Sequence, residues 1–309
     1  MGGLDFSSRR LARACRHAML GLPGICLTSC SGGVLDPLGP VGDGDAKILI
    51  NATLVMLAIV IPTIALAFWM AWHYRASNRK AEYLPYWSYS GRIEAVVWSI
   101  PTLTIMFIGG LIWIGSYKLD PFRPLPANSP PLEVQVISLD WKWLFIYPHQ
   151  GVATVNQLVV PAGTPVHFSI TSASVFNVFF VPRLGSMIYA MPGMVSQLHL
   201  QADEPARIWG ISAQFSGDGF SDMQFDVRSV PSPDFEDWVA RVRGNGPVLN
   251  EPAYVRLMQQ TQDVPPSTFA SIDAELFDRV ATQKLPPGPG PQPESPEHAG
   301  REVSTGERD

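Results

Sequence analysis

Two stretches without a charged side chain, residues 48–72 and 95–117, constrain this chain more than anything else in it. At ~1.5 Å of rise per residue, each is long enough to cross a hydrocarbon core of ~30 Å as a helix. Lys47 and His73 bound the first run, Pro62 sits in its middle, and Trp69 and Trp72 lie near one end. A membrane helix tolerates such a proline, and tryptophans at a span's end form an interfacial belt. The second run has Pro101 near its start and Trp98 and Trp113 towards its ends. The connection carries Arg75, Arg79, Lys80 and Arg92 against Glu82 alone. Positive charge marks the cytoplasmic side, so both outer flanks are expected to face the periplasm.

Ahead of the spans, Arg9, Arg10, Arg13 and Arg16 precede a short apolar stretch, residues 18–27, and then Leu27-Thr28-Ser29-Cys30. This order reads as a targeting leader, with the last four residues resembling a lipobox. Residues 1–29 are expected to be removed and Cys30 to become a lipidated N-terminus. All three cysteines, Cys15, Cys26 and Cys30, precede the first span, so the remainder can hold neither a disulfide nor a thiolate metal site. The chain is 46% hydrophobic and 16% charged, against about 25% charged in soluble domains. Its net charge of −5 gives no reason to expect nucleic acid as a partner.

After Asp120-Pro121 the texture changes. Leu132-Glu133-Val134-Gln135-Val136 alternates with period two, as do Val166-His167-Phe168-Ser169-Ile170, Leu198-His199-Leu200-Gln201-Ala202 and Met223-Gln224-Phe225-Asp226-Val227. Turn signals such as Pro161-Ala162-Gly163-Thr164-Pro165 separate them. The pattern predicts an antiparallel sandwich or barrel. Ser232 then reads as an N-cap with Pro233 at the first helical position, and Phe235, Trp238, Val239 and Val242 form one apolar stripe. Phe269, Ile272, Leu276 and Val280 suggest a second small helix, and from Pro286 the chain reads as disordered. His149, His167 and His199 show no ligand spacing and read as solvated surface residues, and Met223 reads as core.

Several separated pieces resemble one family, subunit II of the haem-copper oxidases. They are Leu35-Asp36-Pro37, Tyr74-Arg75-Ala76-Ser77-Asn78, Glu94-Ala95-Val96-Val97-Trp98 and Asp140-Trp141-Lys142-Trp143, then Pro182-Arg183-Leu184-Gly185-Ser186 and Phe215-Ser216-Gly217-x-Gly219-Phe220-Ser221. The likeness covers roughly residues 30–245 and is nearest to the quinol-oxidase branch, the cytochrome bo-type ubiquinol oxidases. Copper-binding members write Cys-x-Glu-x-Cys-x-x-x-His-x-x-Met, where this chain has Ser212, Gln214, Ser216, Phe220 and Met223. Asn177 stands where that branch has its first histidine. Hydroxyls, amides and a phenyl ring do not replace the soft thiolates and imidazoles that copper of this kind needs.

The resemblance implies a two-helix transmembrane hairpin followed by a periplasmic all-β cupredoxin-like sandwich and short C-terminal helices. The expected boundaries are a leader at 1–29, a periplasmic segment at 30–46, spans at 47–73 and 93–118 and a cytoplasmic loop at 74–92. The sandwich follows at 125–230, then a helical region at 231–285 and a tail at 286–309. A soluble fragment of about 125–245 is expected to fold alone. The resemblance further implies a multi-pass subunit of the bacterial inner membrane with no metal, cofactor or catalytic residue of its own. Haems, copper and the ubiquinol site belong to subunit 1, which it would contact together with further oxidase subunits and membrane lipids. Glu94, at the cytoplasmic start of the second span, is implied to help admit protons to subunit 1. Trp141 and Trp143 lie where copper-binding members receive electrons, and here packing under the loop is the expected role. A competing reading is a membrane-anchored binding or assembly lipoprotein without an oxidase role.

Overall fold

The computed structural model describes residues 33–82, 84–126 and 129–290. Cys30 and the last nineteen residues of the expected tail, 291–309, lie outside them. Helices α1 (Pro40–His73) and α2 (Gly91–Lys118) are long and apolar enough to cross a membrane, and their apolar windows are not buried within the chain. Thr53, Thr63, Thr102 and Thr104 each donate a hydroxyl to the carbonyl four residues back, which satisfies the polar group within its own helix.

Helix α1 begins seven residues before the expected span. Those extra turns are docking structure. Leu38 and Gly42 donate backbone N–H groups to the carbonyls of Arg183 and Leu184, at 2.8 and 2.9 Å, and Asp203 N–H donates to Leu38. The Arg183 guanidinium closes the clasp on Asp36, 2.7 Å from its carbonyl and 2.6 Å from its carboxylate. A Cβ at Gly42 would lie 2.8 Å from the Arg183 carbonyl oxygen, so only glycine admits this approach. Two sequence pieces about 145 residues apart, Leu35-Asp36-Pro37 and Pro182-Arg183-Leu184-Gly185-Ser186, are thus the two halves of one joint.

Among the described residues the strands form two large sheets and one two-stranded sheet. The larger has the order β12 (Ser267–Phe269), β3 (Val152–Val155), β2 (Lys142–Tyr147), β1 (Leu132–Leu139), β5 (Val166–Ser172), β8 (Ser196–Leu200). The other has the order β4 (Gln157–Pro161), β10 (Gln224–Val230), β9 (Ala206–Ser212), β6 (Asn177–Phe180), β7 (Ile188–Ala190). The expected purely antiparallel arrangement is corrected at two places: β1 pairs β5 in parallel, and β10 pairs β4 in parallel. Both joins link strands distant in the chain, so no hairpin forces them antiparallel.

Alternation sends Trp143, Phe145 and Tyr147 of β2 into the space between the sheets. Trp143 meets Phe179 and Phe225 edge-on, with centroids 5.4 and 5.8 Å apart, and those two rings stack at 5.2 Å. Helix α3 (Ser232–Gly244) closes one end with Phe235, Val239 and Val242. Its cap is Pro231 rather than Ser232, which lies one residue inside.

The opposite face of β1, β2 and β3 is also buried. Ile137, Leu139, Leu144, Ile146, Ala153 and Val155 form a second core under the C-terminal segment, with Leu249, Tyr254, Met258, Leu276, Phe277, Val280 and Leu285. This corrects the expectation that the fold is complete by residue 245. The stripe of Phe269, Ile272, Leu276 and Val280 is not one helix either. Phe269 extends the large sheet through β12, Ile272 lies in β13 (Ser271–Ile272), which pairs β11 (Val248–Leu249), and only Leu276 and Val280 share a helix, α5 (Leu276–Ala281). Helix α4 (Glu251–Leu257) begins at Asn250, whose side chain accepts from Ala253 N–H. The chain beyond Pro286, read as tail, is tied down as far as Gly290: Gly288 N–H donates to Ala173 and Gly290 N–H to the Asp140 carboxylate at 2.8 Å.

Arg207 and Arg228 face each other across β9 and β10, a like-charged pair that Asp226 resolves by accepting from both Nε–H groups, at 2.7 and 2.6 Å. Burial pushes the Asp226 carboxyl up, but the bonds and charges of the two arginines outweigh it and hold the group below its ordinary 3.8. A depressed carboxylate contributes stability that is full above the unfolded value and is lost as pH falls through the folded one. Asp226→Asn is therefore expected to cost about 1.5–3 kcal/mol at neutral pH, with the gap to wild type closing below about pH 4. Urea unfolding of fragment 121–290 across pH measures it, and a gap constant down to pH 2 would refute the assignment.

Candidate functional site

The expected metal-loop frame lies at one end of the sandwich, where β9 leads through a loop and a 3-10 turn, Phe220–Asp222, into β10. Four of the six singled-out side chains are buried here: Asn177, Ser212, Ser216 and Met223. Ser138 on β1 joins them, although nothing in the sequence frame marks it. Asn177 donates through Nδ2 to Ser138 Oγ at 2.8 Å and accepts through Oδ1 from Ser212 Oγ at 2.9 Å. The Ser216 hydroxyl faces the Met223 sulfur at 4.0 Å. Gln214 is exposed, and half-exposed Phe220 packs against exposed Phe215 with centroids 5.7 Å apart.

This donor set does not fit copper. It comprises an amide and hydroxyls already bonded to one another and a single thioether, without a thiolate or an imidazole. Among the described residues no group of three or more His, Cys, Asp and Glu side chains could hold a metal. Met223 is 1% exposed, a core side chain as read.

Trp141 roofs the loop. It sits in the two-residue turn between β1 and β2 at φ 64°, an uncommon conformation for a bulky residue. Its indole Nε1–H donates to the Ser216 carbonyl at 3.1 Å, and its ring lies where a Cβ on Gly219 would come within 2.5 Å. Trp143 belongs to the inter-sheet core. Both tryptophans of Asp140-Trp141-Lys142-Trp143 thus pack, and the motif's polar members brace the C-terminal segment. Asp140 accepts from Ser174 and Gly290, and Lys142 donates Nζ to the Gln259 carbonyl at 2.6 Å and to Thr261. Burial pushes the Lys142 ammonium down to about 8, with the Asp140 charge acting in the opposite sense.

Two of the three histidines are not solvated, contrary to expectation. His199 is buried, its ring stacks on His167 at 4.6 Å, and its backbone N–H and Nδ1 both meet the Pro121 carbonyl. His167 Nδ1 lies 2.6 Å from Glu133. Both histidines do lie on the polar face of their alternating strands. The linker after α2 folds back over edge strand β8 and covers a face that alternation alone leaves to water. His149 is exposed.

Glu94 lies in the first turn of α2, exposed, its backbone N–H donating to the Ser90 carbonyl. It stands at the opposite end of the hairpin from the sandwich.

Two apolar helices carrying a cupredoxin-like sandwich define the architecture of an oxidase subunit II. The family described as "Cytochrome C oxidase subunit II, periplasmic domain" matches residues 103–230. Cytochrome bo(3) ubiquinol oxidase subunit 2 of Pseudomonas aeruginosa is 46% identical over 91% of this chain and 85% of its own. Ubiquinol oxidase subunit 2 of Acetobacter aceti is 46% identical over 89% and 90%, and quinol oxidase subunit 2 of Bacillus cereus is 33% identical over 73% and 78%. The chain belongs to the family of ubiquinol oxidase subunit 2.

Proposed function

We propose that this chain is the non-redox subunit 2 of a proton-pumping terminal ubiquinol oxidase, docked on a subunit 1 that carries the haems and copper. The complex would oxidise quinol and reduce oxygen to water. The carrying observation is the closed Ser138–Asn177–Ser212 network where copper-binding members of the wider family place ligands. A cytochrome c oxidase takes electrons from a water-soluble protein and needs a relay metal on that surface. Quinol delivers them from within the bilayer, so the relay is dispensable and hydrogen-bonded side chains can occupy its place. The family relationship favours this reading over an assembly lipoprotein. Both helices would span the bacterial inner membrane, with the sandwich in the periplasm and the Arg75–Arg79–Lys80–Arg92 loop in the cytoplasm. The test is the purified membrane complex. It is expected to show haem absorption, a subunit 1 partner, and oxygen uptake with ubiquinol but not with reduced cytochrome c. Uptake with cytochrome c alone would overturn the reading.

Fragment 121–290, refolded with excess copper, is expected to bind none stoichiometrically by metal analysis. A purple two-copper species would contradict the assignment of Asn177, Ser212, Gln214, Ser216, Phe220 and Met223 as former ligand positions. Cys30 is proposed as the lipidated N-terminus. Mass spectrometry of the native subunit should show residues 1–29 absent and a diacylglycerol added, and Cys30→Ser should leave the chain in the membrane on its two spans. An intact Met1 terminus would reject this.

A further inference from the structure

Helices α1 and α2 approach each other closely beside the sandwich. A Cβ on Gly115 would lie 2.5 Å from the Ile48 side chain, and one on Gly44 would lie 2.7 Å from Leu119. Beside this contact there is a gap, and a Cβ on Gly110 would meet nothing within 4 Å. The gap is a groove of about 710 Å³, walled by Ile48, Met106, Phe107, Leu111 and Ile114, with Lys47 and Lys118 at its mouth. Met106 to Lys118 is about 18 Å of helix at ~1.5 Å per residue. One leaflet's share of a ~30 Å core is about 15 Å.

Lys118 and Leu119 also line a second cavity of about 400 Å³ between the helix ends and the sandwich, with Arg123, Asp120, Ser186 and His199. The Asp120 carboxylate is engaged by the Phe122 N–H at 3.0 Å, and Lys47 is paired with Asp43. Lys118 and Arg123 make no ion pair among the described residues. The apolar slot, about one leaflet deep, therefore adjoins through Lys118 and Leu119 a polar cup that holds two cations against the single carboxylate of Asp120.

We propose that this slot and cup bind one phospholipid of the leaflet on the sandwich side, an acyl chain between α1 and α2 and the phosphate on Lys118 and Arg123. The charge favours a phosphate-bearing amphiphile over a quinone, whose headgroup is neutral. Basic side chains near a membrane surface attract anionic lipid, and lysine can lay its stem along apolar surface while its charge stays at the interface. The site rests on both helices spanning the membrane.

The test uses the assembled oxidase, delipidated in detergent and titrated with phosphatidylglycerol under native mass spectrometry. The Lys118→Gln/Arg123→Gln variant is expected to hold one phospholipid fewer, or to bind it at least ten-fold more weakly, and Lys118→Arg to bind as wild type. Gly110→Leu, which fills the slot without touching charge, should lose the same lipid. Equal lipid retention in wild type, the double variant and Gly110→Leu would overturn the proposal. So would a Gly110→Cys chain that crosslinks to subunit 1, or a quinone retained at the site irrespective of Lys118 and Arg123. The subunit list and ubiquinol-driven oxygen uptake, read on the same samples, test the oxidase assignment separately from the lipid.

Discussion

Glu94→Gln is expected to leave the oxidase assembled with its haems intact and to slow quinol turnover by on the order of 10²-fold, the cost of losing a proton-transfer group when its step limits the rate. That factor corresponds to about 2.7 kcal/mol of activation free energy. The motive is position. Glu94 lies in the first turn of α2 and is exposed on the hairpin, directly before the charge-free run 95–117. A carboxylate there can take protons from water at the loop side and present them to a low-dielectric interior, and ionisable groups beside a span are functional suspects. The competing role is local. A carboxylate at a helix N-terminus complements the dipole, and removing it costs about 0.3–1 kcal/mol of stability with turnover near normal. The two roles differ in what they change: proton entry moves turnover and its pH profile, and a cap moves only stability. Glu94→Asp should recover part of the rate. Full oxygen-uptake activity of an assembled Glu94→Ala complex across a range of pH would reduce the residue to a cap.

Cutting the chain after Asn245 is expected to abolish folding of the soluble domain, whereas fragment 121–290 folds. The cut removes every C-terminal member of the second core and bares Ile137, Leu139, Leu144, Ile146 and Val155 on the outer face of the large sheet. Each such side chain fully exposed forfeits about 1.5–3 kcal/mol, so the five together amount to on the order of 10 kcal/mol as an upper bound. That is comparable to the whole stability of an ordinary domain, about 5–15 kcal/mol. Losing β12 also leaves β3 as an unpaired edge. Lys142 would lose the Gln259 carbonyl and Thr261, leaving its ammonium without those acceptors beside the core. Circular dichroism and thermal unfolding of the two fragments decide the matter: a cooperative transition in fragment 121–245 at the temperature of the longer one would show that the C-terminal segment merely decorates the sheet.

By itself the sequence determined the elements whose signal is local. Absence of charge over 48–72 and 95–117 sets two helices, because lipid-length apolar runs have no other way to satisfy their backbone. Period-two alternation placed β1 and β5 with their inward faces correct, and the 212–223 stretch shows no thiolate or imidazole, since ligand chemistry is carried by residue type. What required the tertiary structure was every pairing between distant segments. Alternation states which side of a strand is apolar but not what covers the other side. The second core, the stacking of half-buried His167 on buried His199, and the break of the 269–280 stripe into strand and helix were therefore invisible. Phe269 and Ile272 fit a helical period equally well, and only the open edge of β3 and the register of β11 pull them into strands. The clasp of Leu38 and Gly42 on Arg183 and Leu184 joins two motifs through backbone groups, and its one side-chain ion pair, Arg183 with Asp36, links positions too far apart in the chain for a local pattern to announce it. The network at the loop has the same origin: Ser138 completes it from a neighbouring sheet, and only folding brings that hydroxyl to Asn177.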